Sequence, residues 1–259
     1  MSLNNVCEPC LLSQNDPQPI EVINPESHYP VVLVCEHAGN LVPLSLQNLG
    51  LSQSTLKQHI AWDLGAKETA KLIAERLGAT LVIQRYSRLV IDCNRPPQSD
   101  SAILSMSDGM PIEANVGLSD TEKLQRINEI FEPFQQVVQD KISRPSCKVA
   151  ISIHSFTRTM SGAKRPWDIA FLYRNDQLTS GELARDISGS IPKERIGMNE
   201  PYQITDDEDW FVIKQGEASG KFHSLIEICN DQIDTENGQQ EWAALLAASI
   251  ERTMKRITE

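Results

Sequence analysis

The chain has 259 residues, and 24 basic against 35 acidic side chains give it a formal net charge of −11. Such an acidic chain, without a lysine- or arginine-rich run, is expected to repel DNA and anionic membranes, so we expect neither a nucleic acid nor a membrane as partner. No apolar stretch approaches the roughly 18 residues of a membrane helix, and the first residues do not resemble a signal peptide. Four of the six cysteines lie in or beside apolar runs, which is typical of buried thiols in a reducing compartment and predicts a cytoplasmic protein. The other two, Cys7 and Cys10, form a C-x-x-C without the second pair that a structural zinc site needs.

The order of predicted elements indicates an α/β protein. Residues 1–28 are polar and aperiodic and predict an extended arm or the approach to the first strand. Short apolar runs predict strands at 31–35, 80–84, 88–92, 148–154, 168–173 and 222–229. Helical spacing predicts helices at 52–77 (with Gly78 as its stop), from a capping box at Ser119 to about Ile142, at 179–190 and at 238–256, while 96–118 predicts a long loop. The alternation predicts a single domain over residues 1–259, with a mixed, largely parallel sheet between helices in a three-layer αβα arrangement.

Polar side chains are concentrated where four of the predicted strands end. They are Glu36 and His37, the segment 92–95, His154 with Ser155, and Glu227. Ligands of open α/β sheets bind beyond the carboxyl ends of the strands, so we expect these segments to meet at one edge.

His37 and His154 are the candidate metal ligands. A catalytic zinc site uses neutral imidazole nitrogens and a carboxylate and leaves one position for water. The third ligand stays open between Glu36, which is adjacent to His37, and Asp63. His59 and Asp63 lie four apart in the predicted helix 52–77, so a contact between these two side chains is the competing explanation for Asp63.

The other charged residues suit substrate binding and proton transfer. Arg88, and Arg95 beside the Asn94 amide, are candidates for holding an anionic substrate, since a guanidinium binds a carboxylate through two parallel hydrogen bonds. Asp92 is better suited to orienting its neighbours than to reacting. Glu227 interrupts an apolar strand, where burial raises a carboxyl pKa and suits a general base.

A thiol hydrolase is the alternative chemistry, with Cys35 or Cys93 paired to His154. The chain has no G-x-S-x-G, Walker loop or G-x-G-x-x-G motif, so serine hydrolase, nucleotidase and dinucleotide-binding functions lack support.

Six segments, taken together and in order, resemble the N-formylglutamate amidohydrolase family. They are VLVCEHAGN (32–40), HIAWDLGA (59–66), SRLVIDCNRP (87–96), IHS (153–155), NEPY (199–202) and IEICND (226–231). The resemblance implies an enzyme that uses one divalent metal, zinc or else cobalt, to cleave an N-acyl amino acid such as N-formylglutamate. It also implies a fold similar to the zinc carboxypeptidases and the aspartoacylase group.

The resemblance assigns roles to residues of this chain. It implies His37 and His154 as metal ligands, Glu227 as the base that activates water, and Arg88 with Asn94 and Arg95 as the clamp for the substrate carboxylate. Ser155 and Tyr202, within the IHS and NEPY segments, are expected to contact the substrate.

Three positions depart from the family pattern. Asn40 stands where the related H-x-x-E motif has its glutamate, Gln215 where many members have histidine, and Cys229 where arginine is more usual. These departures motivate a second hypothesis, a non-catalytic protein that binds acyl-amino acids through a degenerate metal site.

Overall fold

A mixed β-sheet organises residues 10–258, the part of the chain that the computed structural model describes. Within these residues the strands are β1 (Ile20–Ile23), β2 (Val31–Cys35), β3 (Thr80–Gln84), β4 (Met106–Ser107), β5 (Met110–Pro111), β6 (Val149–Phe156), β7 (Thr159–Met160), β8 (Ala163–Lys164), β9 (Ile169–Leu172), β10 (Ile196–Met198) and β11 (Phe222–Cys229). Seven of them form the sheet in the order β1-β3-β2-β6-β11-β9-β10. Strands β3, β2, β6 and β11 run parallel at its centre, while β1 and β9 pair antiparallel to their inner neighbours.

Helices cover both faces of this sheet. The α-helices of the described chain are α1 (Ala66–Leu77), α2 (Asp120–Arg126), α3 (Glu132–Ile142), α4 (Gln177–Ile187) and α5 (Glu236–Thr258). Helices α1, α4 and α5 share one apolar core with the sheet, and α3 belongs to the core on the opposite face. The three-layer αβα arrangement with a mixed, largely parallel sheet is therefore confirmed.

Successive residues of the central strands pack against different helical layers. In β2, Val31 and Leu33 join the core of α1 and α5, while Val32 and Val34 join the core of α3. Because both faces are buried, the strand is apolar at every position, as in other parallel sheets. This burial on both faces explains the apolar run from which strand 31–35 was predicted.

The predicted helix 52–77 is wrong in its first half. Residues 51–65 form turns, and α1 begins only at Ala66. Gly65 has φ of +79° and so cannot continue a right-handed helix. The apolar Leu56 and Ile60 are buried all the same, which explains why their spacing resembles that of a helix. The predicted stop at Gly78 is confirmed, since this residue caps α1 with φ of +63°.

The predicted strand 88–92 is also wrong. The Ser87 carbonyl accepts from the Val90 amide and the Ser87 hydroxyl from the Leu89 amide, so the segment turns instead of extending. Its apolar residues fill the core as part of a loop. Two strands of the sheet were not predicted. Residues 20–23 of the predicted N-terminal arm form edge strand β1, and β10 lies in a segment for which no element was predicted.

The other predicted elements agree with the structure to within a few residues. The capping box at Ser119 is present, and a helical run that includes a π-helical turn at Ile127–Phe131 continues to Ile142. Within the predicted loop 96–118, the short strands β4 and β5 pair as a hairpin. No helix among residues 10–258 is long and apolar enough to cross a membrane.

The prediction of buried free thiols is confirmed for Cys35, Cys93, Cys147 and Cys229. Cys10 is exposed, whereas Cys7, the other member of the C-x-x-C pair, lies outside the described residues.

Candidate metal centre

Three neighbouring parallel strands bring the candidate residues to one edge of the sheet. His154 lies in β6 directly opposite Glu227 of β11, and His37 follows the end of β2. Asp63 arrives from the turn before Gly65, where its amide donates to the His37 carbonyl at 2.9 Å. Residues far apart in the sequence thus meet as the sheet model requires.

His37, Asp63 and His154 form a compact group of potential ligands. The Nδ1 atoms of His37 and His154 lie 3.5 and 2.9 Å from the same Asp63 oxygen, Oδ2. One ligand atom from each residue falls within 4.8 Å of the others, and all three side chains are buried. Within the described chain, His37 Nδ1 and His154 Nε2 have no hydrogen-bond partner although both are buried. Two imidazoles and a carboxylate with an unused nitrogen are a donor set that fits zinc or a similar divalent ion.

Carboxylates hold the opposite sides of both imidazole rings. Asp92 Oδ1 lies 2.7 Å from His37 Nε2, and Glu36 Oε2 lies 3.0 Å from His154 Nε2. Carboxylates in this position orient histidine ligands and increase their basicity. Of the two candidates for the third ligand, Asp63 therefore lies among the ligand atoms, and Glu36 lies behind the ring of His154.

The charges of the group explain its ionisation. Burial raises the pKa of Asp63, but the nearby imidazoles of His37 and His154 outweigh burial and bring this pKa well below its usual range. Burial also lowers the pKa of His154, while the Asp63 and Glu36 carboxylates raise it by more, so the net pKa lies above its ordinary value. Asp63 is thus a carboxylate at neutral pH, as a metal ligand must be.

Glu227 stands beside this group with one unused oxygen. The side chain is buried, and its Oε2 has no hydrogen-bond partner among residues 10–258. Burial raises the pKa of Glu227 to about 7, and the neighbouring His154 partly opposes that effect. A carboxyl group with this pKa can both accept and release a proton near neutral pH.

One cavity of about 330 Å³ connects the candidate residues. Its lining includes every predicted site residue except Glu36: His37, Asp63, Arg88, Asn94, Arg95, His154, Ser155, Tyr202 and Glu227. Its volume lies in the range typical of small-molecule sites.

The predicted carboxylate clamp differs in detail from the expectation. Arg88 already binds Asp92 at 2.6 Å and lies 3.6 Å from Asp63. The Asn94 amide is also occupied, because it donates to Asp209 Oδ2 and accepts from the amides of Trp210 and Phe211. It holds the loop that contains these three residues.

Arg95 and Ser155 complete the predicted set. Arg95 donates to the backbone carbonyls of Asn94 and Glu208, and it forms no ion pair within the described chain. Ser155 donates its hydroxyl to the Leu64 carbonyl and its amide to Asp63, which ties the strand end to the turn before α1.

Sequence reasoning missed Asp209 and Arg165. Burial raises the pKa of Asp209, a cavity-lining residue, to about 6. Arg165 donates to the hydroxyl of Tyr202 at 3.2 Å. Each lies in a polar loop segment and in none of the motifs described above. The sequence therefore offered no specific signal for either residue.

His59 lines the cavity, whereas none of the three positions that depart from the family pattern, Asn40, Gln215 and Cys229, is part of the lining. His59 pairs with Asp108 at 3.2 Å instead of with Asp63, because no helix joins residues 59 and 63. Gln215 donates to Gln135 in the interior.

The thiol alternative is not supported by the environment of the cysteines. Burial raises the pKa of Cys35 and of Cys93 well above the usual range, and neither residue is part of the cavity lining. A nucleophilic cysteine requires the opposite shift, since the thiolate is the reactive form.

Comparison with known proteins agrees with this picture. The gene product Atu2144 of Agrobacterium tumefaciens is 33% identical in sequence, with a TM-score of 0.89 over 96% of this chain and 100% of that chain. An N-formylglutamate amidohydrolase from Ralstonia eutropha JMP134 shares the fold at 16% identity, with a TM-score of 0.59 over 92% of this chain and 98% of its own. A search of the curated proteins gave no match. The family model of N-formylglutamate amidohydrolase matches residues 29–233, which is most of the chain. The chain therefore belongs to the N-formylglutamate amidohydrolase family.

Proposed function

We propose that this protein is a metal-dependent amidohydrolase that cleaves an N-acyl amino acid of the N-formylglutamate type. The observation that carries the proposal is the position of Glu227. Its unpartnered carboxyl oxygen belongs to the same cavity as the three potential metal ligands. A base beside a metal site is the arrangement that hydrolysis by an activated water requires.

His37, Asp63 and His154 would hold one divalent ion, with zinc as the expected metal and cobalt as the alternative. When bound, the ion polarises the scissile amide carbonyl and lowers the pKa of the attacking water. Asp92 keeps the His37 ring in orientation through its hydrogen bond with Nε2, while Glu36 places a negative charge 3.0 Å from His154 Nε2.

Glu227 transfers the proton. Its Oε2 accepts a proton from the attacking water and delivers it to the nitrogen of the departing amino acid as the amide C–N bond breaks. The pKa of about 7 allows the same group to act in both steps. The products are the free acid of the acyl group and the amino acid.

The substrate is oriented by the other cavity residues. Arg95 donates to the substrate carboxylate, and Arg88 places a second positive charge next to the metal ligands. Ser155 and Tyr202 complete the contacts, and Asn94 acts by holding the loop 209–211 against the cavity. Fixing the carboxylate in this way sets the amide bond relative to Glu227, which is how positioning lowers a reaction barrier.

The test combines elemental analysis with an assay on N-formyl-L-glutamate and a series of N-acyl amino acids. We expect about one divalent metal ion per chain in the wild-type protein and loss of both metal and activity in His37→Ala and His154→Ala. Glu227→Gln is expected to retain the metal and lose activity by at least about 100-fold. Full activity of Glu227→Gln would contradict the assignment of the base. No metal, even after reconstitution with zinc or cobalt, would instead favour the acyl-amino-acid binding protein with a degenerate metal site.

A further inference from the structure

The cavity wall contains fewer free positive charges than its arginines imply. Arg88 is ion-paired with Asp92 and lies close to Asp63, so its charge is balanced before any substrate arrives. Arg95 donates to backbone carbonyls and has no carboxylate partner within residues 10–258. Among the arginines that line the cavity, Arg95 is therefore the one that can neutralise a substrate carboxylate. A substrate with two carboxylates needs another cation.

Arg165 supplies a second guanidinium without a carboxylate partner among residues 10–258; it is not part of the cavity lining itself, but it contacts residues that are. It lies in the loop after the hairpin β7–β8 and is half-buried. Its Nη1 donates to the Tyr202 hydroxyl at 3.2 Å and to the Thr157 carbonyl at 3.3 Å. Its Nη2 faces the sulfur of Met160, a weak acceptor, at 3.1 Å. Within the described chain no carboxylate forms an ion pair with it.

The residues that contact the guanidinium of Arg165 belong to the cavity wall. Thr157, Met160, Tyr202 and Phe156 line the cavity, and the Arg165 guanidinium lies 5.0 Å from the centre of the Tyr202 ring and 5.8 Å from that of Phe156. The two rings keep the guanidinium in place through cation–π contacts without neutralising its charge. Its hydrogen bond to the Tyr202 oxygen leaves the phenolic proton of Tyr202 free to donate.

From this arrangement we propose that Arg165 and Tyr202 form a subsite at the cavity rim for a second carboxylate of the substrate. This inference rests on the proposed function and extends it. One carboxylate of the acyl-amino acid binds Arg95, and the other, on the amino-acid side chain, displaces the weak Met160 contact and binds Arg165 and the Tyr202 hydroxyl. Arg165 thereby acts as a specificity-determining residue that selects acidic over neutral amino-acid side chains.

The experiment measures binding in a background that does not turn over. In the Glu227→Gln protein loaded with zinc, calorimetry compares the Kd of N-formyl-L-glutamate with that of N-formyl-L-glutamine, which has the same shape but a neutral side chain. We expect the acidic ligand to bind about 10- to 100-fold more tightly, since charge-assisted hydrogen bonds are worth about 1.5–3 kcal/mol. Adding Arg165→Met is expected to bring the two Kd values together by weakening the acidic ligand alone.

Two further variants make the result specific. Arg76→Met removes an arginine that binds Gln240 on the surface of α1 and should leave both Kd values unchanged. Arg165→Lys keeps the charge and should restore part of the preference. An equal loss of affinity for both ligands in Arg165→Met would overturn the proposal, because it would show that Arg165 only supports Tyr202.

An unchanged preference in Arg165→Met, or no binding of either ligand before the change, would overturn the proposal as well. Failure of the subsite proposal can be distinguished from failure of the proposed function. Preference for the acidic ligand that depends on Arg165 would support the subsite even if the wild-type protein hydrolysed none of the amides. Hydrolysis without this dependence would support the enzyme and reject the subsite.

Discussion

Gly65→Ala tests how the turn before α1 positions Asp63. Gly65 has φ of +79°, a conformation that costs an alanine about 1–2 kcal/mol. A Cβ at this position would also lie 2.2 Å from the carbonyl oxygen of Ile233 and 2.8 Å from its Cγ1. Relief of such an overlap in a packed region costs about a further 1–3 kcal/mol. We therefore expect Gly65→Ala to lower the free energy of unfolding by about 2–5 kcal/mol.

The displacement should also reach the metal centre. The Asp63 amide donates to the His37 carbonyl, and the Ala66 amide donates to the Asp63 carbonyl, so a shift at residue 65 moves the Asp63 backbone. We expect weaker metal binding in Gly65→Ala, measured by competition with a chelator, alongside the loss of stability.

The matched control for this change lies at the other end of the same helix. Gly78 has φ of +63°, and a Cβ there would meet nothing within 4 Å. Gly78→Ala should cost only about 1–2 kcal/mol and leave metal binding unchanged. Urea denaturation of both variants, with metal removed, gives the comparison at an unchanged m-value. Equal losses of stability in the two variants would refute the role of the Ile233 contact.

Three other predictions concern the surroundings of the site. Asp92→Asn should weaken metal binding by about 10- to 100-fold, because it removes the carboxylate that orients His37, and a chelator titration that shows wild-type affinity would contradict this. The pKa of Asp209 is raised from 3.8 to about 6 by burial, so the folded state holds this proton more tightly. The stability that protonated Asp209 contributes is then present below about pH 4 and is lost as the pH rises through about 6, by about 3 kcal/mol in all. Burial raises the pKa of Glu227 as well, so urea unfolding at several pH values should show a smaller decline in Asp209→Asn than in the wild type, and the difference measures the contribution of Asp209. Finally, iodoacetamide should not inactivate the folded enzyme, because Cys35 and Cys93 are buried; rapid loss of activity together with alkylation of either thiol, detected by mass spectrometry, would contradict that expectation.

The central strands and several helices follow from the sequence for local reasons. A strand that is buried on both faces is mostly apolar, so the apolar runs at 31–35 and within 222–229 predict strands, the second in spite of His223, Ser224 and Glu227. The capping box at Ser119 and the stop at Gly78 are likewise determined by a few adjacent residues. The same reasoning fails at 52–65, where buried residues in turns recur with helical spacing although no helix forms.

The sequence also identified nine of the cavity-lining residues, because polar groups at the ends of parallel strands must meet at one edge. It left open whether Glu36 or Asp63 joins the histidines, since that depends on the path of the turn between β2 and α1. The contact of His154 with Asp63 joins residues 91 positions apart. No local pattern specifies such a distance.

Tertiary structure alone decided which charges are free. The pairing of Arg88 with Asp92 depends on the turn that replaces the predicted strand 88–92, and the fit of Arg165 between Phe156 and Tyr202 depends on the folding of two separate loops. The electrostatic state of an arginine is set by the groups within a few ångströms of it, and these come from distant parts of the chain. Sequence therefore determined the central strands, most of the helical segments and the chemical composition of the site, whereas the three-dimensional packing determined the turns at 51–65 and 87–92 and which of the site's charges can bind a ligand.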